Sequence, residues 1–203
     1  NIVALRSRLR IGQTYTDDNV FDSIQFTGAQ LTSDENMLPD SQRDFAPVVR
    51  GVANSNATIE IRQNGYLIYS KNVAPGAFDI DDINPSNQSG DLDVSVIEAD
   101  GSRRNFSVPY SAVPNMLRAG NNRFQFTAGE YRDGYSGGWR PRFVQGTLSY
   151  GLSFGSTLYG GFLTAESYNA IATGIAQDLH QFGAISFDIT TARAQLASGD
   201  AST

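Results

Sequence analysis

Hydrophobic and polar residues alternate along much of this chain with a period of two, which is the period of a β-strand. The first such stretch alternates apolar residues with arginines: Val3, Leu5, Leu9 and Ile11 with Arg6, Arg8 and Arg10. The same period returns over 144–154 and 184–190, and more weakly over 156–166 and 168–177. Segments of about 9–11 residues with one apolar face can cross a bilayer as tilted barrel strands, but soluble antiparallel sheets alternate in the same way. The pattern therefore predicts an all-β fold and leaves both architectures open.

The middle of the chain predicts a compact module of short strands. Asn64-Gly65 separates the alternating runs 58–62 and 66–70, and Asp100-Gly101 separates 92–99 from 104–110. Such pairs favour two-residue hairpin turns, because these turns need a positive φ at both positions. About six short strands in roughly 70 residues are typical of a small β-sandwich. We therefore predict three parts, with a sandwich over 47–117 inserted between strand-bearing flanks at 1–46 and 118–203.

Composition excludes several classes of protein. The 203 residues contain no cysteine and one histidine, which excludes disulfides, thiolate sites and zinc sites built on several histidines. A formal net charge of −6 argues against a nucleic-acid partner, which needs a basic face. No run approaches the ~18 apolar residues of a membrane helix. The chain begins without Met or a signal-peptide pattern, so we expect a piece of a longer protein.

No group of residues predicts an enzyme, a metal site or a cofactor. Any Ser-His-Asp triad would need His180, whose position in a predicted turn favours a solvated side chain. The acids within 79–93 could offer oxygen ligands to calcium, but they lack the glycine and the distant glutamate of an EF-hand loop. Asp and Asn side chains in turns commonly bond their own backbone instead. Glu98 and Asp100 flank a hairpin turn, where exposure is expected rather than paired glycosidase chemistry.

Several long motifs resemble the outer-membrane usher of the bacterial chaperone–usher pathway, which assembles fimbriae and pili. They follow in order along nearly the whole chain: FDSIQFTGAQL at 21–31, MLPDSQR at 37–43, FAPVVRGVA at 45–53, QNGY at 63–66, SGDL at 89–92, EADGS at 98–102, VPY at 108–110 and AGEYR at 128–132. The resemblance implies a large antiparallel β-barrel in the bacterial outer membrane. It also implies an Ig-like β-sandwich plug, the middle domain, inserted between two barrel strands.

In the usher family the plug closes the pore until a chaperone–subunit complex engages, and the pilus then passes through. By resemblance, 47–117 is the plug, while 1–46 and 118–203 supply only some of the transmembrane barrel strands. The turn at 17–19 matches a hairpin that folds inward beside the plug. The plug is expected in the lumen or the periplasm.

This interpretation predicts gating by a rigid plug on two linkers. The linker candidates are Phe45, Ala46 and Pro47 before the plug, and Met116, Leu117 and Arg118 after it. The lumen-wall candidates are Arg6, Arg8, Arg10, Asp17 and Asp18, and the plug-face candidates are Asp91, Asp93, Glu98 and Asp100. We expect polar and ionic contacts between the wall and the plug. Several would be needed, because a wetted ion pair contributes only about 0–1 kcal/mol.

The partners implied are periplasmic chaperone–pilus subunit complexes, acting through the complete usher, and outer-membrane lipid; a homodimer stays open. The alternative is a soluble β-sandwich binding or adhesin-like module. The two differ in the surroundings of four side chains: Leu148, Tyr150, Ile185 and Phe187. A soluble module would pack them in one core, whereas an usher would expose them to lipid.

Overall fold

The computed structural model describes residues 2–43, 45–113, 115–132, 140–196 and 199–202. Its β-strands are β1 (Ser7–Tyr15), β2 (Gln25–Ser33), β3 (Val49–Ala53), β4 (Ala57–Gln63), β5 (Tyr66–Val73), β6 (Gly76–Ile80), β7 (Leu92–Glu98), β8 (Arg103–Val108), β9 (Asn122–Tyr131), β10 (Arg142–Gly151), β11 (Ser156–Ala165), β12 (Tyr168–Asp178), β13 (Ala184–Leu196) and β14 (Gly199–Ser202). One helical turn, α1 (Asp40–Arg43), and three short 3₁₀ turns (Val3–Leu5, Glu35–Met37 and His180–Phe182) complete the described elements. Among the described residues, no helix is long and apolar enough to cross a membrane.

Eight strands form one open antiparallel sheet in the order β1-β2-β9-β10-β11-β12-β13-β14, which we call the long sheet. The chain leaves this sheet after β2 and returns at β9, yet these two strands pair with each other. The six strands between them, β3 to β8, form a separate body that we call the module. An insertion between two neighbouring strands leaves the hydrogen bonding of the long sheet uninterrupted.

The module is a β-sandwich. A four-stranded sheet in the order β5-β4-β7-β8 packs against the two-stranded sheet β3-β6. Ile59, Ile61 and Val94 of the larger sheet are fully buried in one cluster with Val49 and Ile80 of the smaller sheet. The predicted hairpin turn forms between β4 and β5, where Asn64 and Gly65 have φ values of 52° and 84°. The all-β class and the sandwich predicted from alternation are therefore confirmed.

The long sheet has one apolar face and one polar face. Residues directly opposite in an antiparallel pair share a face, and the registers place one set of exposed apolar side chains together: Leu9, Ile11, Phe126, Val144, Leu148, Leu158, Phe162, Ile171, Ile175, Ile185, Phe187 and Ile189. We call this the outer face. The inner face carries many polar or small side chains, among them Gln30, Gln125, Thr127, Gln145 and Ala172. It also carries the buried rings of Phe26, Phe143 and Tyr159.

The four side chains that distinguish the two architectures lie on the outer face. Leu148, Tyr150, Ile185 and Phe187 are 57%, 45%, 56% and 64% exposed. They do not belong to the buried cluster that forms the core of the module. The soluble alternative required them to form a core, so the structure removes its main support.

The start of the chain differs from the prediction. Val3–Leu5 forms a 3₁₀ turn, and Arg6 takes a left-handed conformation with φ 45°. Backbone hydrogen bonds between Ile2 and Ser7 close this turn, so regular alternation begins only at Ser7. Arg8 and Arg10 lie on the inner face, whereas Arg6 lies outside the strand. The alternation of apolar and polar residues cannot reveal such a turn. The turn is formed by backbone hydrogen bonds, and these do not depend on side-chain polarity.

Candidate functional site

The first predicted linker is packed into the module. Phe45 and Ala46 are buried, and Pro47 is half-buried. The Phe45 ring stacks on Tyr110 with centroids 6.5 Å apart, and the Tyr110 hydroxyl donates to the Phe45 carbonyl at 2.9 Å. Tyr110 follows β8, the last strand of the module. The segment before β3 is therefore attached to the module as one body.

The second predicted linker lies on the inner face of the long sheet. Met116 and Leu117 are buried, and the Leu117 amide donates to Thr157 Oγ1 of β11 at 2.9 Å. Gly151 of β10 faces the Arg118 carbonyl so closely that no Cβ could be accommodated there. This segment is therefore held by the sheet as well as by the module.

Arg118 joins the second linker to the module. Its guanidinium donates to the carbonyl oxygens of Asp81 and Ile83, in the segment that follows β6. Ile83 is fully buried in the module core. The same segment is held from the other side by Tyr69, whose hydroxyl donates to Asp82 Oδ1 at 2.6 Å. Burial and this carboxylate raise the pKa of Tyr69, which therefore remains a donor.

The connection between β1 and β2, residues 16–24, folds over the inner face. The Asp17 amide donates to Gln125 Oε1 at 3.2 Å, and Phe21 lies against Gly161 of β11. The Asn19 carbonyl accepts from Asn115 Nδ2 at 2.8 Å. Through Asn115, this inward loop therefore contacts the second linker.

Charged groups on the long sheet pair mainly within it. Arg8 lies 2.6 Å from Asp34, and Arg123 lies 2.5 Å from Glu35. Although desolvation opposes it, hydrogen bonds from Asn36 and Arg8 lower the pKa of Asp34. The Arg123–Glu35 ion pair was not predicted from the sequence, because these residues are 88 positions apart. Their positions near the adjoining ends of β9 and β2 were the one indication that they could meet.

The remaining wall candidates differ in their surroundings. Arg10 Nη1 reaches Gln30 Oε1 at 3.5 Å, and Arg6 is exposed. Burial raises the pKa of Asp17, while the charges of Arg10 and Arg123 oppose that rise. Asp18 is exposed.

The plug-face candidates have partners within the module or none among the described residues. Glu98 accepts from the Asn54 amide at 3.0 Å and from the Ser55 amide and hydroxyl at 2.8 and 2.6 Å. Asp100 Oδ1 accepts from the Ser102 amide at 2.8 Å. Asp91 and Asp93 are exposed.

The suggested ion pairs between these acids and the arginines of β1 are therefore corrected: the structure gives Glu98, Asp100 and Arg8 other partners. Carboxylates next to turns bind nearby backbone N–H groups readily, because little additional chain has to be ordered.

The segment considered for calcium, 79–93, contains the residues that Arg118 and Tyr69 bind, namely Asp81, Ile83 and Asp82. His180 is exposed in a turn as expected, and its amide donates to Asp178 Oδ1 at 2.8 Å. Within the described ranges, no three histidine or acidic side chains are grouped as metal ligands.

Comparisons with known proteins agree with this architecture. The family model described as "Outer membrane usher protein" matches residues 1–203. Among curated relatives, the outer membrane usher proteins FimD and YraJ of Escherichia coli strain K12 are each 50% identical over 196 residues. The matches cover 97% and 96% of this chain, but only 22% and 23% of FimD and YraJ.

Two solved structures are similar over almost the whole chain. The P pilus usher (PapC) translocation pore matches with a TM-score of 0.56 and 35% identity, covering 100% of this chain and 41% of that one. A chain of the Escherichia coli P pilus tip assembly intermediate PapC-PapD-PapK-PapG matches with a TM-score of 0.59 and 37% identity, covering 97% of this chain and 25% of that one.

The fold and these matches define an all-β protein with a sandwich module inserted between two paired strands of a long sheet. The chain belongs to the outer membrane usher family. It spans less than a quarter of the length of the two curated relatives.

Proposed function

We propose that this chain is the gating segment of an outer-membrane pore that exports pilus subunits. The long sheet is part of the barrel wall, and the module, taken as 47–117, is the plug that closes the pore. The flanks 1–46 and 118–203 supply wall strands. The observation that carries this proposal is the insertion of a folded module between β2 and β9, which remain paired with each other. Such a plug can leave its place without opening the wall.

The two faces of the long sheet support a membrane wall. Membrane barrels alternate lipid-facing apolar residues with polar residues that face a wet interior. Strands β9 to β12 are 10 or 11 residues long, which is sufficient to cross a bilayer when tilted. The apolar outer face then contacts lipid, and the inner face, with Gln30, Gln125 and Gln145, lines the pore.

The contacts between the module and the wall suit a plug that can be released. Tyr159 and Ala176 of the inner face belong to the same buried cluster as the module core. Further links among the described residues are hydrogen bonds of the second linker and the inward loop, such as Leu117 to Thr157 and Asn115 to Asn19. Each such bond contributes about 0.5–1.5 kcal/mol. A partner that binds the displaced plug can therefore compensate for their loss.

Loop lengths orient the segment in the membrane. Apart from the insertion, the two longest connections of the long sheet are 16–24 and 132–141, and both lie at one edge. The connections 152–155 and 179–183 lie at the other edge, together with both plug linkers, whereas the two-residue turn 166–167 shares the edge of the two longest loops. Bacterial barrels have short periplasmic turns and longer extracellular loops. The linkers therefore face the periplasm, from which export begins.

The proposed partners are chaperone–pilus subunit complexes, and the proposed location is the bacterial outer membrane. The related structure of PapC together with PapD, PapK and PapG supports partners of this class. The role is mechanical and non-catalytic, since a plug acts by occupying space.

Single-channel conductance of the complete usher in planar bilayers tests the proposal. The native protein is compared with a variant that lacks 47–117, and an Asp91→Asn variant, altered at an exposed site of the module, serves as control. We expect rare, small openings in the native and control proteins and a large, permanently open pore after the deletion. Equal conductance in all three would refute gating and leave the module as a binding domain carried by the barrel.

A further inference from the structure

Arg132 follows the last residue of β9, and Arg140 lies two residues before β10, so both are at the same edge of the long sheet. Arg142 pairs with Glu130 in the β9–β10 register, and the Tyr131 amide continues this ladder by donating to the Pro141 carbonyl at 3.0 Å. The next position of the same register places Arg132 opposite Arg140. The Arg132 Nε donates to Thr27 Oγ1 at 3.1 Å, and Thr27 pairs with Glu130 on the outer face. Arg132 therefore lies on the outer face, and continuing the register by one position assigns Arg140 to the same face.

The positive charge of this pair is not balanced locally. Arg142 has an acidic neighbour, with Glu130 at 3.5 Å, whereas Arg132 and Arg140 have no ion pair among the described residues. Like charges directly opposite on a sheet destabilise it. Residues 130–142 together carry three arginines against two acids, with Asp133 counted. An anion between Arg132 and Arg140 would relieve the repulsion.

Polar neighbours extend the site along the sheet. The Arg132 amide donates to the Gln25 carbonyl at 2.9 Å, which places Gln25 beside Arg132, and Tyr15 pairs with Gln25 in turn. Tyr15 is exposed. The row Tyr15, Gln25, Arg132, Arg140 therefore offers hydroxyl, amide and guanidinium donors on one surface. Arginine binds phosphate with two parallel hydrogen bonds, which suits it to a fixed anion.

The position of this row indicates where the anion comes from. The apolar outer face begins four residues away along the strands, about 13 Å, at Ile11 and Val144. In a membrane wall that distance reaches from the hydrocarbon into the headgroup layer, where arginine side chains meet lipid phosphates. The charge of the pair and its continuity with the apolar face both favour a lipid over a soluble ligand.

We infer that Arg132 and Arg140 form a binding site for the phosphate of an anionic lipid headgroup at the membrane edge of the barrel wall. This inference rests on the proposed function only in requiring that the outer face contacts lipid. The site holds the barrel wall at a defined depth in the membrane, close to the inward loop 16–24. Tyr15 and Gln25 belong to the site and also flank this loop.

Native mass spectrometry of the complete usher in an uncharged detergent tests the site. The probes are lipid A, which carries phosphates, and the same glycolipid with its phosphates removed. The double variant Arg132→Gln/Arg140→Gln is compared with Arg103→Gln, which removes one exposed charge from the module. We expect lipid A to bind the double variant roughly tenfold more weakly. Arg103→Gln should bind lipid A as the native protein does, and the dephosphorylated lipid should not distinguish the three proteins.

Equal binding of lipid A by the double variant and the native usher would overturn the inference. If inorganic phosphate displaces lipid A at equal concentration, the site is one for soluble anions, and the lipid assignment is wrong. Thermal melting supplies a second readout: without lipid the double variant should melt no lower than the native protein, because the repulsion is gone. Lipid A should raise the melting temperature of the native protein and of Arg103→Gln more than that of the double variant. The native usher and the double variant should have the same conductance. Failure of the gating proposal would therefore appear in the conductance measurement and leave the lipid-binding result unchanged.

Discussion

At the scale of single residues, the most unusual group is the amide of Gln145. It is fully buried on the inner face, and neither its nitrogen nor its oxygen has a hydrogen-bond partner within the described ranges. An unpaired buried polar group costs about 1–3 kcal/mol. Gln30 and Gln125 are buried beside it on the same face, but both are hydrogen-bonded. A glutamine at this position suits a wall that is wetted when the plug leaves.

Replacing Gln145 should stabilise the closed arrangement. We expect Gln145→Met to raise the free energy of unfolding by about 1 kcal/mol, because methionine has a similar volume and no unpaired polar atom. Gln125→Met is the matched control and should lower the free energy of unfolding, because the hydrogen bonds to Asp17 and Thr127 are lost. Thermal melting of the complete usher measures the stability of the two variants. A lower melting temperature for Gln145→Met would contradict this explanation.

Glu98 makes the stability of the module depend on pH. Hydrogen bonds from Ser55 and Asn54 lower its pKa from the ordinary value of 4.5. Its contribution is therefore complete above about pH 4.5 and is lost as the pH falls through the lowered folded-state value. We expect Glu98→Gln to lower the stability of the module at neutral pH and to reduce its further loss on acidification. Hydrogen exchange of β4 and β7 in the complete usher measures this, with Asp93→Asn, at an exposed site, as control.

At the scale of elements, the two linkers differ in their attachment. The first is bound to the module through Phe45 and Tyr110. The second is bound to the wall through Leu117 and to the module through Arg118. Movement of the plug must therefore break contacts of the second linker, because this segment is bonded to both bodies.

Removing the Arg118 guanidinium should loosen the closed plug. We expect Arg118→Ala to raise the open probability of the complete usher roughly tenfold, since its hydrogen bonds to Asp81 and Ile83 are lost. Arg103→Ala, which removes an exposed arginine from β8, should leave gating unchanged. Single-channel recording of the two variants measures their open probabilities. Identical opening of both variants would mean that Arg118 does not hold the plug.

The sequence predicted these linkers by position but not by structure. Phe45-Ala46-Pro47 precedes β3 and Met116-Leu117-Arg118 follows β8, yet most of these side chains are buried. Proline and a change of pattern mark a boundary, because they interrupt regular strands. Whether a boundary segment is free or packed depends on the surfaces beside it, here Tyr110 and Thr157, which lie 65 and 40 positions away from their partners.

At the scale of the whole molecule, the decisive property is the difference between the two faces of the long sheet. Leu148 and Leu67 are similarly exposed, at 57% and 50%, but Leu148 lies on the outer face and Leu67 on the module. If the outer face contacts lipid, arginine there is costly, at about 2–4 kcal/mol near the membrane centre. On a wetted module the same change costs little.

We therefore expect Leu148→Arg to reduce the folded, membrane-inserted fraction of the complete usher, whereas Leu67→Arg should leave it unchanged. Refolding into phospholipid vesicles, scored by protease protection of the barrel, measures the difference. Similar behaviour of the two variants would place the outer face in water or against protein instead of lipid.

The sequence by itself determined the strands, the hairpin turns and the family. Alternation is a property of neighbouring residues, and Asn64-Gly65 defines its turn through the backbone of two residues, so both can be read locally. The tertiary structure alone decided which charges meet: Arg123 with Glu35, and Arg8 with Asp34. These pairs depend on strand register across an inserted module, and register is set by contacts between residues far apart in the chain.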